Sequence, residues 1–177
     1  CGLATGANML DAYNRALAGD PVSAFGGILI CNGEVGADVA QEANKLFFEV
    51  LIAESYTPEA LEMLQSKKNR ILLIWKDRTL PYRLVRTAVN GYLVQEKNNI
   101  QPDSGVYEVQ SSRKPSELEL QDAIFGETVV KHLKSNAIAI VKNGQLIGGG
   151  VGQTSRVDAL KQAIEKTKAM GFSTEGA

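Results

Sequence analysis

A run of glycines stands directly before a predicted helix in residues 148–158, GGGVGQTSRVD. The first N–H groups of a helix have no partner within it, and glycines let a ligand approach the backbone, so the segment is suited to an anion. Arg156 adds a guanidinium fork that matches a carboxylate or a phosphate. The segment lacks the Gly-Lys-Ser/Thr of a P-loop and the βαβ context of a dinucleotide site. Ligand contact and simple turn geometry therefore stay equally open.

A second pair of glycines, Gly26 and Gly27, opens a predicted buried strand at the end of residues 20–27, DPVSAFGG. Glycines at the start of a strand indicate that something approaches the backbone closely. That neighbour is either a helix of the same chain or a ligand. The sequence favours the helix.

Three polar residues lie at the start of a predicted strand or at the end of a predicted helix, where polar groups need hydrogen-bond partners. Asn136 begins a predicted buried strand, where asparagine is disfavoured, so it needs partners from the backbone or from a ligand. Glu49 raises the same question at the start of another strand. His132 follows at the end of a helix, where a cation interacts well with the terminal carbonyl groups. For His132, capping is favoured over catalysis.

The composition indicates a globular chain and excludes several classes of function. Of the 177 residues, 44% are hydrophobic and 22% charged, and the basic residues are scattered rather than gathered into a nucleic-acid footprint. Cys1 and Cys31 cannot form a disulfide framework or a four-ligand zinc site, and the zinc deaminase signature is missing, so no metal site is predicted from ligand patterns. The apolar runs are too short for a membrane span. We expect a cytoplasmic protein with neither nucleic acid nor membrane as a partner.

The candidate residues need a scaffold, and the apolar periodicity predicts one in which short strands alternate with amphipathic helices. Helical spacing is found in residues 8–17, 39–47, 58–66, 116–133 and 155–170. Short apolar runs predict strands at residues 25–31, 49–53, 71–75, 137–141 and 145–148. A further hairpin is predicted around Asn90-Gly91. The alternation predicts an α/β architecture with a largely buried sheet.

Local signals predict where the helices begin and where the chain divides. Thr57 before Pro58 supplies an N-cap and a proline at the first helical position. Capping-box patterns, SELE and SRVD, begin at Ser116 and Ser155. Polarity rises in residues 96–115, which form the best linker in the chain.

Four segments occur in an order that resembles one known family. They are residues 20–27 (DPVSAFGG), 46–53 (LFFEVLIA), 131–138 (KHLKSNAI) and 150–158 (GVGQTSRVD). They resemble the transformylase region of the bifunctional purine biosynthesis family AICAR transformylase/IMP cyclohydrolase. The resemblance covers essentially the whole chain, whereas the chain covers only part of such an enzyme.

The resemblance implies a fold similar to that of cytidine deaminases, a three-layer α/β/α arrangement that is incomplete here. Residues 1–95 would be the later part of a first subdomain, residues 96–115 the connection, and residues 116–177 the opening part of a second. The resemblance also implies a cytoplasmic, multifunctional enzyme with transferase and hydrolase activities. Its homodimer would build the active sites at the subunit interface.

The implied reaction moves a formyl group from the cosubstrate 10-formyltetrahydrofolate to the 5-amino group of AICAR, which gives formyl-AICAR in IMP biosynthesis. That amine is a weak nucleophile because it is conjugated with the imidazole and the carboxamide. It must lose a proton as it attacks, and the folate N10 must gain one as it leaves, so acid–base groups and close positioning are needed. In the family a Lys-His pair just before the Cys-Gly segment supplies most of this. A chain that begins at Cys1 is therefore expected to be inactive alone.

Matched residue by residue, the resemblance implies roles on the AICAR side. Asn136 matches the catalytic asparagine that orients the carboxamide and the formyl group. Phe25 and Gly26 match the segment whose ring and backbone line the AICAR base. Glu49 matches an acidic position that bonds the AICAR amine or carboxamide.

On the folate side, the resemblance implies that Arg156 and Val157 touch the cofactor. Residues 131–136 match the neighbourhood of a structural potassium ion that backbone oxygens hold in relatives. Two departures affect these expectations. The loop at residues 148–152 reads GGGVG where relatives often have GIGAG, and the family's downstream segments for folate and phosphate contact are not among the 177 residues.

Other interpretations stay open beside this one. The chain could be a non-catalytic ligand-binding or dimerisation module that keeps the glycine loops and the interface without the chemistry. It could also be a nucleotide-binding α/β domain unrelated to purine synthesis. The start at Cys1 permits an N-terminal nucleophile with the terminal amine as its base, although a piece of a longer protein is the favoured interpretation.

Overall fold

The computed structural model of the chain describes residues 1–77, 79, 81–100 and 107–177. The middle of the predicted linker, residues 101–106, lies outside the described residues. The described part contains both helices and strands, and the α/β class predicted from the sequence is confirmed. None of its helices combines the length and the apolar character needed to cross a bilayer. The division into two subdomains around residues 96–115 stays a prediction.

The elements follow the alternation that the apolar periodicity predicts. The helices are α1 (Met9–Gly19), α2 (Ala37–Ala43), α3 (Pro58–Gln65), α4 (Glu117–Val130) and α5 (Arg156–Ala169). The strands are β1 (Gly27–Ile30), β2 (Glu34–Val35), β3 (Phe48–Ala53), β4 (Ser55–Tyr56), β5 (Ile71–Ile74), β6 (Arg83–Ala88), β7 (Gly91–Glu96), β8 (Ile138–Lys142) and β9 (Gln145–Gly150). Helix α2 ends before the predicted residues 44–47, because Phe48 enters the sheet and the chain must turn back beforehand.

The first half of the chain forms a parallel sheet in which β3 lies between β1 and β5. In-register residues of neighbouring strands point to the same face, and Leu29, Leu51 and Leu72 form one such row. This row packs into the core that α1, α2 and α3 share. Alanines supply much of the helical contribution, which lets α2 and α3 lie close to the sheet.

The opposite face of the parallel sheet is open, which differs from the largely buried sheet predicted from the sequence. It carries two rows of aliphatic side chains: Ile28, Val50 and Ile71, and Ile30, Ile52 and Leu73. Ile28 is 65% exposed and Ile30 62% exposed. The difference arises because α1, α2 and α3 all contribute to the core on the other face. A three-layer arrangement requires a further layer against these rows.

The second sheet is the antiparallel hairpin of β8 and β9. Its turn lies at Asn143 and Gly144, as predicted, and both have positive φ, 52° and 67°. The carboxylate of Asp122 on α4 accepts hydrogen bonds from both turn amides, at 2.7 Å from Asn143 N and 2.6 Å from Gly144 N. The hairpin is therefore fixed to α4 at its turn and covered by α5 along β9.

The N-terminal residues join this second sheet rather than the first. The amide of Leu146 donates to the carbonyl of Leu3 at 2.9 Å, and the amide of Thr5 donates to the carbonyl of Gly144 at 2.8 Å. At the end of α1, a Cβ on Gly19 would lie 2.5 Å from the carbonyl oxygen of Leu146. The start of the chain and α1 thus tie its two halves together.

The helix starts confirm one capping box and correct the other. Ser116 and Glu119 exchange both hydrogen bonds of the box at the start of α4. At the start of α5, the hydroxyl of Ser155 accepts from the amide of Asp158 at 3.1 Å, as predicted. Its second partner is the carboxylate of Asp158, at 2.7 Å. The carboxylate is thus engaged by the Ser155 hydroxyl, whereas a reciprocal box would require it to accept from the Ser155 amide.

The hairpin of β6 and β7 forms as predicted, with its turn one residue earlier. Ala88 pairs with Gly91, so the two loop residues are Val89 and Asn90 rather than Asn90 and Gly91. Val89 takes a positive φ of 48°, which a β-branched residue rarely adopts. The apolar side chains on both faces of this hairpin are exposed. A two-stranded hairpin in that state gains little stability from its own packing.

Candidate functional site

The glycines before α5 are explained by the packing of that helix. A Cβ on Gly150 would lie 1.9 Å from the carbonyl oxygen of Ala159, and one on Gly148 would lie 2.0 Å from the Thr167 hydroxyl. Both obstacles belong to α5, so β9 needs glycine where the helix crosses it. Packing against α5 therefore accounts for Gly148 and Gly150, whereas contact of the loop with a ligand stays a prediction.

Asn136 lies two residues before β8, not within the strand as predicted from the sequence. Its side-chain nitrogen donates to the carbonyl of Gln153 at 3.2 Å and to the carbonyl of Thr154 at 3.1 Å. Because both neighbours are carbonyl oxygens, the nitrogen is the amide atom that faces them. Among the described residues no donor is found on Oδ1 of Asn136, so this oxygen is left to accept a further hydrogen bond.

The loop that holds Asn136 is bonded to it along the backbone as well. The amide of Asn136 donates to the carbonyl of Gln153 at 3.1 Å, and the amide of Gln153 donates back at 3.2 Å. The amide of Gly152 donates to the carbonyl of Lys134 at 2.7 Å, and Gly152 takes a positive φ of 69°. The segments 134–136 and 152–154 therefore form one hydrogen-bonded unit at the end of the second sheet.

Arg156 and Val157 begin α5 directly after this unit. Both are exposed, and Val157 shows 60% of its surface. Only Ser155 separates Arg156 from Thr154, whose carbonyl accepts the Asn136 amide. Three of the six predicted site residues thus lie in this unit or within three residues after it along the chain.

The other three predicted residues gather at the amino ends of β1 and β3. The amide of Gly26 donates to the carbonyl of Phe47 at 2.8 Å, and Gly26 has a positive φ of 70°. The ring of Phe25 is 72% exposed and its centroid lies 5.1 Å from that of Phe47. Glu49, the second residue of β3, is exposed. A Cβ on Gly27 would meet the carbonyl of Ala24 at 2.8 Å, so a turn explains this glycine better than the helix that the sequence favoured.

The six residues therefore form two groups on different sheets. The first group, Phe25, Gly26 and Glu49, belongs to the parallel sheet. The second group, Asn136, Arg156 and Val157, belongs to the end of the β8–β9 hairpin. None of the contacts described above joins one group to the other. Phe25, Glu49, Arg156 and Val157 are exposed, whereas Gly26 and Asn136 are half-buried.

A half-buried polar cluster packs beside the first group. The guanidinium carbon of Arg70 lies 4.1 Å from the centroid of the Phe48 ring, and the group donates to the side chain of Asn44 and to the carbonyl of Leu46. Burial lowers the pKa of Arg70. The hydroxyl of Tyr13 is buried without a partner among the described residues, and burial also raises its pKa. This cluster fixes the loop that carries Phe47.

No metal centre made of side chains is found in the described part of the chain. No group of three or more His, Cys, Asp and Glu side chains is placed to hold an ion. A potassium ion held by backbone oxygens would instead need carbonyls near residues 131–136. Those of Lys134 and Asn136 already accept backbone hydrogen bonds. His132 is exposed after α4, and its capping role stays a prediction.

Sequence reasoning did not single out Gln153 and Gln162, which the structure brings into the second group. Gln153 bonds to Asn136 through its backbone, and Gln162 on α5 bonds to Gln153 through its side chain. Glutamine in a polar loop or on a helix is ordinary, so its type gives no signal. Only the folded position of α5 against the loop reveals the link.

The amino end of the chain is engaged in an ion pair. The terminal ammonium of Cys1 donates to the carboxylate of Asp20. The N-terminal nucleophile stays a prediction.

Comparison with known proteins places the chain among purine biosynthesis proteins. It is 52% identical over its whole length to the bifunctional purine biosynthesis protein PurH of Bacteroides thetaiotaomicron, and covers 35% of that protein. It is 42% identical over its whole length to the PurH proteins of Aquifex aeolicus and Caldicellulosiruptor saccharolyticus, covering 34% of each. The chain thus spans about one third of the length of these relatives. The sequence profile described as AICARFT/IMPCHase bienzyme matches residues 1–166, and the chain belongs to that family.

Proposed function

We propose that this chain is part of an AICAR transformylase and contributes to formyl transfer from 10-formyltetrahydrofolate to AICAR in purine biosynthesis. Membership of the AICARFT/IMPCHase family and the names of its relatives support a role in purine biosynthesis. One structural observation carries the finer proposal. The amide of Asn136 is held through its nitrogen by two carbonyls, and its oxygen is left to accept.

A fixed acceptor oxygen suits the nucleophile of this reaction. The AICAR amine is a poor nucleophile because its lone pair is delocalised into the ring and the carboxamide. An N–H donated to Oδ1 of Asn136 would orient the amine, so that its lone pair faces the formyl carbon. Because two hydrogen bonds already prevent the Asn136 amide from rotating, little orientational freedom is left to lose in the transition state.

The first group supports binding of the AICAR base. The exposed ring of Phe25, in contact with Phe47, offers a flat apolar surface for an imidazole ring. The positive φ of Gly26 leaves the backbone beside it open to the ligand edge. The exposed carboxylate of Glu49 is an acceptor for the amine or the carboxamide.

The second group supports contact with the folate. Arg156 presents a guanidinium that can pair with a carboxylate of the cofactor, and Val157 presents apolar surface for its aromatic part. Both stand beside Asn136, so a folate held there would bring its formyl group towards Oδ1. Formyl-folate is the cosubstrate in this proposal. A potassium ion near residues 131–136 would have a structural role and would take no part in the reaction.

The reaction also needs acid–base groups. A proton must leave the amine and another must reach N10, whereas the hydrogen bonds of Asn136 among the described residues go only to backbone groups of Gln153 and Thr154. We therefore propose that the 177 residues act with further parts of a longer polypeptide and are inactive by themselves. We also propose a homodimer, which the exposed apolar surfaces of the β6–β7 hairpin and of the parallel sheet support.

Substitution of Asn136 tests the proposed function. In the polypeptide that carries this chain together with the remaining family segments, we expect Asn136→Ala to lower turnover about 100-fold or more, as loss of one preorganised polar group does. Loss of its two hydrogen bonds should cost about 1–2 kcal/mol of stability, which leaves the protein folded in the assay. Formation of formyl-AICAR from AICAR and 10-formyltetrahydrofolate is the measurement.

A matched control is Asn14→Ala, since Asn14 is an exposed asparagine on α1. It should leave turnover unchanged. Turnover of Asn136→Ala within a few-fold of the unsubstituted protein would contradict the role of Asn136. Binding of AICAR without any formyl-AICAR from the unsubstituted protein would instead favour the non-catalytic module.

A further inference from the structure

Gln162 attaches the loop before α5 to the body of that helix. Its side-chain oxygen accepts from the amide of Val151 at 2.9 Å and from the side-chain nitrogen of Gln153 at 3.3 Å. The same nitrogen of Gln153 donates to the carbonyl of Val151 at 3.1 Å. One oxygen atom of Gln162 therefore holds both ends of the segment 151–153.

This segment in turn holds Asn136. The carbonyl of Gln153 accepts from the backbone amide of Asn136 at 3.1 Å and from its side-chain nitrogen at 3.2 Å. Any shift of Gln153 therefore moves both the backbone and the side chain of Asn136. A continuous path of hydrogen bonds runs from α5 through Gln162 and Gln153 to the Asn136 amide.

The path matters because it links the loop to α5, in addition to the hydrogen bonds between residues 134–136 and 152–154. Val151, Gly152 and Thr154 are exposed, whereas Gln162 is half-buried between helix and loop. Helix α5 itself is pressed against β9 at Gly148 and Gly150, so it provides a rigid base. Because the side-chain oxygen of Gln162 belongs to α5, its hydrogen bonds restrict the motion of the exposed loop.

We infer that Gln162 is a positioning residue whose side-chain oxygen sets the direction of Oδ1 of Asn136. The inference rests on the proposed function, because it deepens the role given there to Asn136. Gln162 needs no contact with either substrate. Its oxygen keeps the Gln153 carbonyl in place, and that carbonyl fixes the Asn136 amide. A misplacement of such a group by about 1 Å can lower a rate about 100-fold.

Two substitutions distinguish the role of the Gln162 side-chain oxygen from that of the rest of the side chain. Gln162→Glu keeps an acceptor oxygen at the same reach, and Gln162→Met keeps the length and the apolar stem without an acceptor. Gln121→Met is the matched control, because Gln121 is an exposed glutamine on α4, far along the chain from the loop. All three changes can be made in the 177-residue chain and in the longer polypeptide.

The first readout is structural and does not depend on catalysis. In Gln162→Met we expect the amide of Val151 to exchange with solvent about five-fold faster, the effect of losing one hydrogen bond. The side-chain NH2 signals of Asn136 should shift in the NMR spectrum. Gln162→Glu and Gln121→Met should match the unsubstituted chain. Unchanged exchange and unchanged Asn136 signals in Gln162→Met would overturn the inference.

The second readout distinguishes positioning from simple support of the fold. In the longer polypeptide, Gln162→Met should lower kcat about ten-fold with a smaller change in KM for AICAR, and Gln162→Glu should restore kcat to within about two-fold. Equal kcat in Gln162→Met and in the control would overturn the positioning role. If the unsubstituted polypeptide makes no formyl-AICAR, the proposed function fails, whereas the exchange measurement still decides whether Gln162 holds Asn136.

Discussion

Replacing Gly150 by alanine tests how closely α5 and β9 are packed. The new Cβ would start 1.9 Å from the carbonyl oxygen of Ala159 and 2.7 Å from its carbonyl carbon. Cβ atoms essentially never approach other heavy atoms to less than 3.0 Å, so strand and helix must separate by about 1 Å. The obstacle is helix backbone, which cannot rotate away as a side chain can. We therefore expect a cost at the upper end of overpacking, about 3 kcal/mol.

The measurement is thermal unfolding followed by circular dichroism. For a chain of this size, a loss of about 3 kcal/mol lowers the melting temperature by roughly 6 to 12 °C. Gly149→Ala is a control in the same strand, because its nearest neighbour would be the carbonyl oxygen of Ile138 at 3.9 Å. That variant should keep the melting temperature or raise it slightly. If Gly150→Ala melts within about 2 °C of Gly149→Ala, the packing explanation of the glycine run is refuted.

Three further outcomes are expected. Hydrogen bonds from Arg113, and then from the Ser116 amide and hydroxyl, lower the pKa of Glu119 to about 2. These bonds therefore persist above the ordinary pKa of a glutamate and are lost as the pH falls towards 2. An NMR titration of Glu119 should show this midpoint, and Arg113→Met should raise the pKa. Asp122→Ala removes the acceptor of both amides in the turn at residues 143–144 and should cost about 1–2 kcal/mol in urea unfolding, whereas an unchanged midpoint would contradict the anchoring of the turn. Leu64→Ala in the fully buried part of α3 should cost about 2–5 kcal/mol in the same assay, and a loss under 1 kcal/mol would mean that the core there is loose.

The sequence predicts well those features that depend on neighbours along the chain. Thr57 caps α3 and Ser116 caps α4 because a side chain and an amide three residues later suffice to form the bond. The Asn143-Gly144 turn follows from residues that tolerate positive φ. The strands of the parallel sheet are also predictable, since their apolar runs are short and bounded.

Features that depend on distant neighbours are not predictable in this way. Strands β1 and β5 would have the same apolar runs whether one face of the parallel sheet were covered or both. The open face therefore cannot be predicted from the sequence. For Gly148 and Gly150 the sequence leaves a ligand loop and a simple turn equally open, and the packing contact is visible only once α5 is placed on β9. For the candidate site, residue types and the family resemblance suggested Asn136, but its two carbonyl partners depend on the loop at residues 152–154 folding back on it.

The pairing of the N-terminal residues with the β8–β9 hairpin has a consequence for how the chain folds. Thr5 and Gly144 are 139 positions apart, so bringing them together costs about 4 kcal/mol of loop-closure entropy. The hairpin itself closes locally and can form within microseconds. On a ribosome, by contrast, residues 3–5 emerge on the order of ten seconds before their partners. We therefore expect the pairing of residues 3–5 with the hairpin to be among the last contacts of these 177 residues to form.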